Sequence, residues 1–211
     1  MEIHAHVPKP GKNAVHWLLE GLFIVASVGL AFGVAEYRES RANRELAGLV
    51  LRSIQAELEH NLSQVEPYLE VHRVWTDALQ HTDASNGAQT GFDMYVGLRP
   101  PLPKGSVAEF PVEVRRGAWD AALSTGALRL IDYDVVAALS QIYQVQTFYG
   151  ERIERVVSAA TSTTAFDPAS RSLAVKQLAV TMGSCFFAEQ LLLNLYKQHL
   201  PAIRSAAKAA E

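Results

Sequence analysis

A nearly unbroken apolar run, Trp17–Ala35, constrains this chain more than any other feature. Only two polar residues interrupt it. Counted from Ala14 to Tyr37 it is long enough to cross a bilayer, since a helix needs about 20 residues to do so. We therefore predict one transmembrane helix over residues 14–37, surrounded by membrane lipid.

A cleaved signal peptide is the competing interpretation of this run. Small residues at Gly33 and Ala35 would suit signal peptidase. The long leader before the run and the acidic Glu20 within it favour an uncleaved anchor. The helical pattern also continues beyond Ala35 without a break.

Three small residues, Ala26, Gly29 and Gly33, lie on nearly one face of the predicted membrane helix. A Gly-x-x-x-Gly spacing lets two helices approach closely and pack by dispersion. We predict that this face packs against another helix, either from a second copy or from another membrane protein. The alternative is that these glycines only reflect how common glycine is in membrane helices.

Glu20 is the ionisable residue of the run. A carboxylate deep in lipid costs about 2.5–3.5 kcal/mol on insertion scales, so such a residue usually has a function or a partner. Its position one turn after Trp17, an interfacial residue type, favours contact with the headgroups instead. The sequence is consistent with either an intramembrane or an interfacial polar contact of Glu20.

Basic residues give conflicting signals about the orientation of the span. More of them follow it (Arg38, Arg41, Arg44, Arg52) than precede it (Lys9, Lys12). The positive-inside rule therefore favours a cytoplasmic C-terminal domain. The interleaved glutamates favour the other side, as does the arrangement of a leader before one apolar segment, which is typical of signal anchors. We predict a periplasmic domain.

The apolar run is predicted to continue into a stalk helix over residues 38–80. Apolar residues recur there at helical spacing, with charged and amide residues on the other faces. Pro67 lacks a backbone N–H and predicts a kink near this residue. Residues 1–13, with two prolines and a glycine, are predicted to be a flexible leader. Residues 81–116 are rich in Gly and Pro and are predicted to be a long loop, with a short strand or helical turn as the alternative.

Residues 117–211 are predicted to be helical. A short helix ends at Gly126, a good left-handed C-cap. Asp132 or Asp134 caps a long helix, and Asp167 followed by proline starts the last one.

The last two helices each carry one apolar stripe, and the final helix is expected to end or bend before Pro201. Helices with one apolar stripe bury it against each other. We therefore predict an all-α fold in which the stalk packs in an antiparallel helical bundle. The predicted inward residues are Val135, Leu139, Ile142, Gln146, Tyr149, Ile153 and Val156, then Leu173, Leu178, Met182, Cys185, Phe186, Leu193 and Tyr196.

Composition excludes some classes of function. The net charge is −3 with no long basic run, which disfavours a nucleic-acid partner. The lone Cys185 has no internal disulfide partner, and its apolar neighbours favour a packed thiol over a reactive one.

No pattern of residues in the sequence indicates an enzyme active site, a metal site or a cofactor site. Glu57 and His60 match the Glu-x-x-His spacing of di-iron bundles, but those sites need a second copy of the motif, so a solvated helix face is favoured. Asp132 and Asp134 could act as paired acids, yet helix capping explains them. We therefore predict a non-enzymatic protein.

Two stretches of the sequence are distinctive. The first, over Leu18–Asn61, contains LLEGLFIVASVGLAFGVAEYRESRANRE and ELEHN; the second, over Ala118–Gln146, is AWDAALSTGALRLIDYDVVAALSQIYQVQ. Together they resemble an uncharacterised family of Gram-negative single-pass inner-membrane proteins with a C-terminal helical domain. Tyr37 stands where tryptophan is common in the family. The resemblance implies an inner-membrane location and a helical domain, and it transfers no catalytic or binding residue.

Two functions are consistent with these features. The first is an accessory or interaction subunit that docks on a larger membrane assembly or pairs with itself. The alternative is a membrane-anchored sensor or small-ligand-binding domain. Its pocket would be lined by Tyr95, Trp119, Tyr143 and Tyr149, although core packing explains the same aromatics.

Overall fold

A computed structural model describes residues 13–85, 87–101 and 114–209. These residues form helices and turns without a strand among them, so the prediction of an all-α chain is confirmed. The predicted leader, residues 1–13, lies outside the described residues except for Asn13. The chain divides into two compact units, Met1–Glu45 and Leu46–Glu211.

The first unit consists of the initial part of helix α1 (Asn13–Val65). Its apolar side chains are exposed along the whole run, from Trp17 at 70% to Val34 at 47%. By length and composition, two helical stretches are apolar enough to cross a membrane, one within His16–His81 and one within Pro168–Ala209. None of the first stretch's most apolar window is buried, whereas half of the second's is.

The second unit begins with the rest of α1, which lines the core. A tight 3-10 turn, Glu66–Tyr68, follows, and α2 spans Leu69–His81. The break coincides with the position of Pro67, whose ring nitrogen cannot donate to the preceding turn. The core residues of this part of α1 are Ala47, Leu51, Ile54, Leu58 and Val65.

The described part of the predicted loop over residues 81–116 differs from that prediction, because it contains helix α3 (Gly91–Gly97). Thr90 and Asp93 form a reciprocal capping box that starts the helix. A Cβ on Gly91 would lie 2.4 Å from the Cβ of Ala174, so only glycine lets α3 pack this closely. Residues 102–113 of the predicted loop lie outside the described residues.

Helix α4 (Gly117–Ser124) and helix α5 (Tyr133–Ala160) follow. Gly126 has a φ of +68° and turns the chain after α4, which is the left-handed conformation that glycine adopts freely. The Asp132 side chain accepts a hydrogen bond from the backbone N–H of Asp134 and caps α5.

Helix α6 (Thr163–Phe166) and the long helix α7 (Arg171–Ala209) complete the chain. The α7 helix continues through Pro201, where an end or bend was expected. Pro201 is exposed, which leaves its ring room in solvent. Leu173, predicted to face inward, is 54% exposed.

Helix α7 is the central element of the second unit. It packs most extensively against α5 and also contacts α2, α3 and α6. Tyr149 on α5 and Tyr196 on α7 are the largest of the completely buried side chains of the core. The predicted inward residues of α5 are buried with them, apart from the half-buried Val135.

Candidate functional site

The small residues predicted to pack against another helix in the membrane are exposed in the structure. Ala26, Gly29 and Gly33 are exposed, and a Cβ added at either glycine would meet nothing within 4 Å. Glu20 is exposed as well. The face is therefore free to take a neighbouring helix, and its pairing stays a prediction.

The carboxylate of Glu57 connects three elements of the second unit. Its Oε1 accepts a hydrogen bond of 2.6 Å from the Tyr143 hydroxyl on α5. Its Oε2 accepts one of 2.8 Å from the backbone N–H of Ala118. Because Ala118 lies in the first turn of α4, the carboxylate satisfies a free amide and sits at the positive end of that helix. Glu57 is half-buried and both of its carboxylate oxygens accept hydrogen bonds from the same domain, so the favoured interpretation of a solvated helix face is wrong for this residue.

Asn61, one turn further along α1, holds the chain just before α4. Its Nδ2 donates to the carbonyl of Arg115 at 2.7 Å, and its Oδ1 accepts from the N–H of the same residue at 2.8 Å. The Asn61 side-chain amide therefore pairs with both the N–H and the carbonyl of Arg115, as the backbone of a neighbouring β-strand would. Glu57 and Asn61 therefore join α1 to α5, to α4 and to the segment just before α4.

The aromatic residues proposed to line a pocket are packed in the core. The Trp119 and Tyr143 rings stack with centroids 4.7 Å apart, and Trp75 stacks on Tyr95 at 4.4 Å. Trp75 Nε1 also donates to the Tyr95 carbonyl at 2.9 Å. Burial raises the pKa of the Tyr95 and Tyr143 hydroxyls, and for Tyr143 the hydrogen bond to Glu57 adds to the effect. The contacts of these aromatic side chains indicate a packed core rather than a ligand pocket.

A second polar contact lies deeper in the core, between α2 and α7. His72 Nδ1 lies 2.9 and 3.1 Å from the two carboxylate oxygens of Glu189, and both side chains are almost fully buried. An ionised carboxylate only accepts hydrogen bonds, so Nδ1 carries the hydrogen. This pair was not found from the sequence, because its partners are 117 positions apart and neither belongs to a recognisable motif.

Two further polar side chains of the core lie on α5. Gln146 Nε2 donates to the Tyr196 hydroxyl on α7 at 2.7 Å. The Tyr149 hydroxyl is buried without a hydrogen-bond partner. Burial, followed by the charge of Glu189, raises the pKa of this hydroxyl well above the usual range. Buried polar side chains are therefore present on α2, α5 and α7.

The other candidate residues from the sequence analysis are either packed in the core or act as helix caps. Cys185 is buried, and burial followed by the charge of Glu189 raises the pKa of its thiol to about 12. Asp132 serves as a helix cap. Among the described residues, no group of three His, Cys, Asp or Glu side chains is arranged to hold a metal ion.

The surface of the second unit has several clefts. One, of about 660 Å³, lies along α5 and α7 between Glu154 and Thr181. A second, about 440 Å³, includes Asp134 and His199. A third, about 260 Å³, lies beside Phe187. The aromatic residues proposed as a pocket line none of these three.

The chain matches no family model, no curated protein and no solved structure. The resemblance to an inner-membrane family therefore stays a prediction. Its two stretches do meet in the second unit, because Glu57 from the first contacts Ala118 and Tyr143 from the second.

Proposed function

We propose that this chain is a non-enzymatic, single-pass protein of the bacterial inner membrane, whose helical domain serves as an accessory or interaction subunit. The first part of α1 forms the transmembrane helix, and the second unit is an antiparallel helical bundle. The bundle docks on a larger membrane assembly or pairs with a second copy.

The exposure of the apolar run supports this proposal most directly. A helix that is apolar on all faces needs an apolar environment around it. The second unit has a core of its own, and none of the run's most apolar window is buried within the described residues. Lipid provides that environment, and a helix satisfies its own backbone hydrogen bonds there.

The second unit supports an interaction role over catalysis or ligand sensing. Its polar side chains with notable geometry, Glu57, Asn61 and the pair of His72 with Glu189, bind other parts of the same domain. The four aromatics of the sensor hypothesis are buried. A domain built this way is suited to presenting a rigid surface.

Membrane fractionation tests the anchor. We expect the full chain to stay with the membrane pellet after alkaline carbonate washing and to need detergent for release. Replacing Val28 by arginine, deep in the run, should weaken insertion, because a central arginine costs about 2.5–3.5 kcal/mol on insertion scales. The matched control is Leu123→Arg, an exposed apolar residue of the second unit. Release of the unaltered chain by carbonate would contradict the anchor.

Pairing through the span is tested by Gly29→Ile and Gly33→Ile. Ala31→Ile is the matched control, because Ala31 lies two positions from both glycines and therefore on the opposite side of the same helix. We expect the first two variants to lose association in the membrane and the third to keep it. Reporter fusions at the C-terminus, active on the periplasmic side only, test the predicted orientation. Co-purification of another membrane protein with the intact chain would identify a docking partner.

A further inference from the structure

Two side chains of α5 each bury a polar atom that has no hydrogen-bond partner among the described residues. These atoms are the hydroxyl oxygen of Tyr149 and Oε1 of Gln146. Tyr149 is 0% exposed and Gln146 is 3% exposed, so bulk water reaches neither atom. Buried polar groups in folded proteins almost always have a partner, which is either another protein group or an ordered water molecule. The two unpaired atoms therefore indicate a missing partner in the core.

The spacing of the two residues brings their side chains to the same region of the core. Tyr149 lies three positions after Gln146, and side chains at this spacing are neighbours on one face of a helix. The Tyr149 hydroxyl can donate a hydrogen bond, whereas Gln146 Oε1 can only accept one. A direct bond between them would satisfy both atoms, but each of them is unpaired. A small group that accepts from the first atom and donates to the second would satisfy both.

The orientation of the Gln146 amide does not remove this requirement. Its Nε2 donates to the Tyr196 hydroxyl on α7 at 2.7 Å, which leaves Oε1 unpaired. Rotating the amide by half a turn would exchange the two atoms and leave the Nε2 donor unpaired instead. One end of the amide therefore needs a partner in either orientation.

A further acceptor is provided by Glu189 on α7. The charge of Glu189 contributes to the raised pKa of the Tyr149 hydroxyl, so the carboxylate acts electrostatically on this part of the core. His72 Nδ1 lies 2.9 and 3.1 Å from its two oxygens and offers them a single hydrogen. An ionised carboxylate has about four acceptor sites, so Glu189 can accept another hydrogen bond.

We propose that one ordered water molecule is bound in the core between α5 and α7. It accepts a hydrogen bond from the Tyr149 hydroxyl and donates one to Gln146 Oε1, and its second hydrogen faces the Glu189 carboxylate. Buried waters make about three hydrogen bonds each and occur about once per 27 residues. The site is independent of the membrane anchor, because all of its residues belong to the second unit.

The sign of the effect of Tyr149→Phe distinguishes a water-bonded hydroxyl from an unpaired one. The variant keeps the ring and removes only the hydroxyl. Loss of one internal hydrogen bond should lower the melting temperature of the full chain in detergent by roughly 1–6 °C. Removal of a buried hydroxyl that has no partner would raise the melting temperature instead, because such a group is costly to bury. A rise would therefore overturn the proposal.

Two other tyrosines provide matched controls for this substitution. The Tyr143 hydroxyl donates to Glu57 at 2.6 Å, so Tyr143→Phe should lower the melting temperature by at least as much as Tyr149→Phe. Tyr133 is 81% exposed, and Tyr133→Phe should leave the melting temperature nearly unchanged.

A double-mutant cycle tests whether one water serves both residues. Gln146→Leu removes the acceptor of the proposed water, so Tyr149→Phe should lower the melting temperature in this background by less than half as much as in the unaltered chain. Equal effects in the two backgrounds would assign the hydroxyl to a separate partner and overturn the shared site.

A crystal structure of the full chain tests the site directly. We expect a peak of electron density at hydrogen-bonding distance, about 2.5–3.2 Å, from both the Tyr149 hydroxyl oxygen and Gln146 Oε1. The same peak should be present in Tyr143→Phe, which leaves the site intact. A well-defined map without this peak would overturn the proposal, whatever the melting temperatures show.

Discussion

Breaking the buried pair of His72 and Glu189 should destabilise the helical domain more than any exposed ion pair does. The two side chains are 2% and 0% exposed. Replacing His72 by leucine leaves the carboxylate buried without its partner, which costs about 3–5 kcal/mol. At about 2–4 °C per kcal/mol for a domain of this size, the melting temperature should fall by roughly 6–20 °C.

The double variant separates loss of a partner from loss of packing. His72→Leu with Glu189→Met removes both polar groups and keeps the volume, so its stability should lie within about 1–2 kcal/mol of the unaltered chain. The exposed pair of Arg73 and Glu70, on the same helix, is the matched control. Glu70→Gln should leave the melting temperature nearly unchanged, because exposed ion pairs contribute little to stability.

Thermal unfolding followed by far-UV circular dichroism, on the full chain in detergent, measures all four proteins. A double variant as unstable as His72→Leu alone would refute the reasoning, since the penalty would then come from packing. The reasoning would also be refuted if His72→Leu lowered the melting temperature as little as Glu70→Gln does.

Two further predictions follow from the contacts of the second unit. Asn61→Ala removes two hydrogen bonds to the Arg115 backbone and should lower the free energy of unfolding, measured by urea denaturation, by about 1–3 kcal/mol. The control is Ser53→Ala, on the exposed side of α1, which should change this free energy by less than about 0.5 kcal/mol. Cys185 should react with a maleimide only after unfolding, because its thiol is buried and the raised pKa suppresses the thiolate at neutral pH. Rapid labelling of the native chain would show that α7 opens at this position.

Local signals predicted much of the secondary structure. The sequence indicates Asp132 or Asp134 as the cap of α5, because a carboxylate before an apolar-periodic stretch satisfies free N–H groups, and Asp132 is the one that caps. The inward stripe of α5 followed from the 3.6-residue period, and Tyr149 and Val156 are indeed fully buried. Helix α3 agrees with the alternative of a helical turn and not with the favoured prediction of a loop. Its capping box, Thr90 and Asp93, is visible in the sequence, but glycine and proline dominate the surrounding segment.

Long-range contacts could not be predicted in the same way. Periodicity assigns Leu173 to an apolar stripe but does not say which side of a helix the rest of the domain covers. Glu57 matched a metal motif by spacing, yet its role depends on Tyr143, 86 positions away. The pairing of His72 with Glu189 depends likewise on how α2 and α7 meet. A single sequence contains no measure of such distances.

The sharing of α1 between the two units restricts where the chain can be shortened. A soluble version intended for crystallisation or labelling should start close to Leu46, because Ala47, Leu51 and Ile54 belong to the core. Starting after Val65 would remove an entire wall of that core, along with the groups that hold Arg115 and Ala118 in place. We expect such a fragment to aggregate during expression, whereas the longer one stays folded.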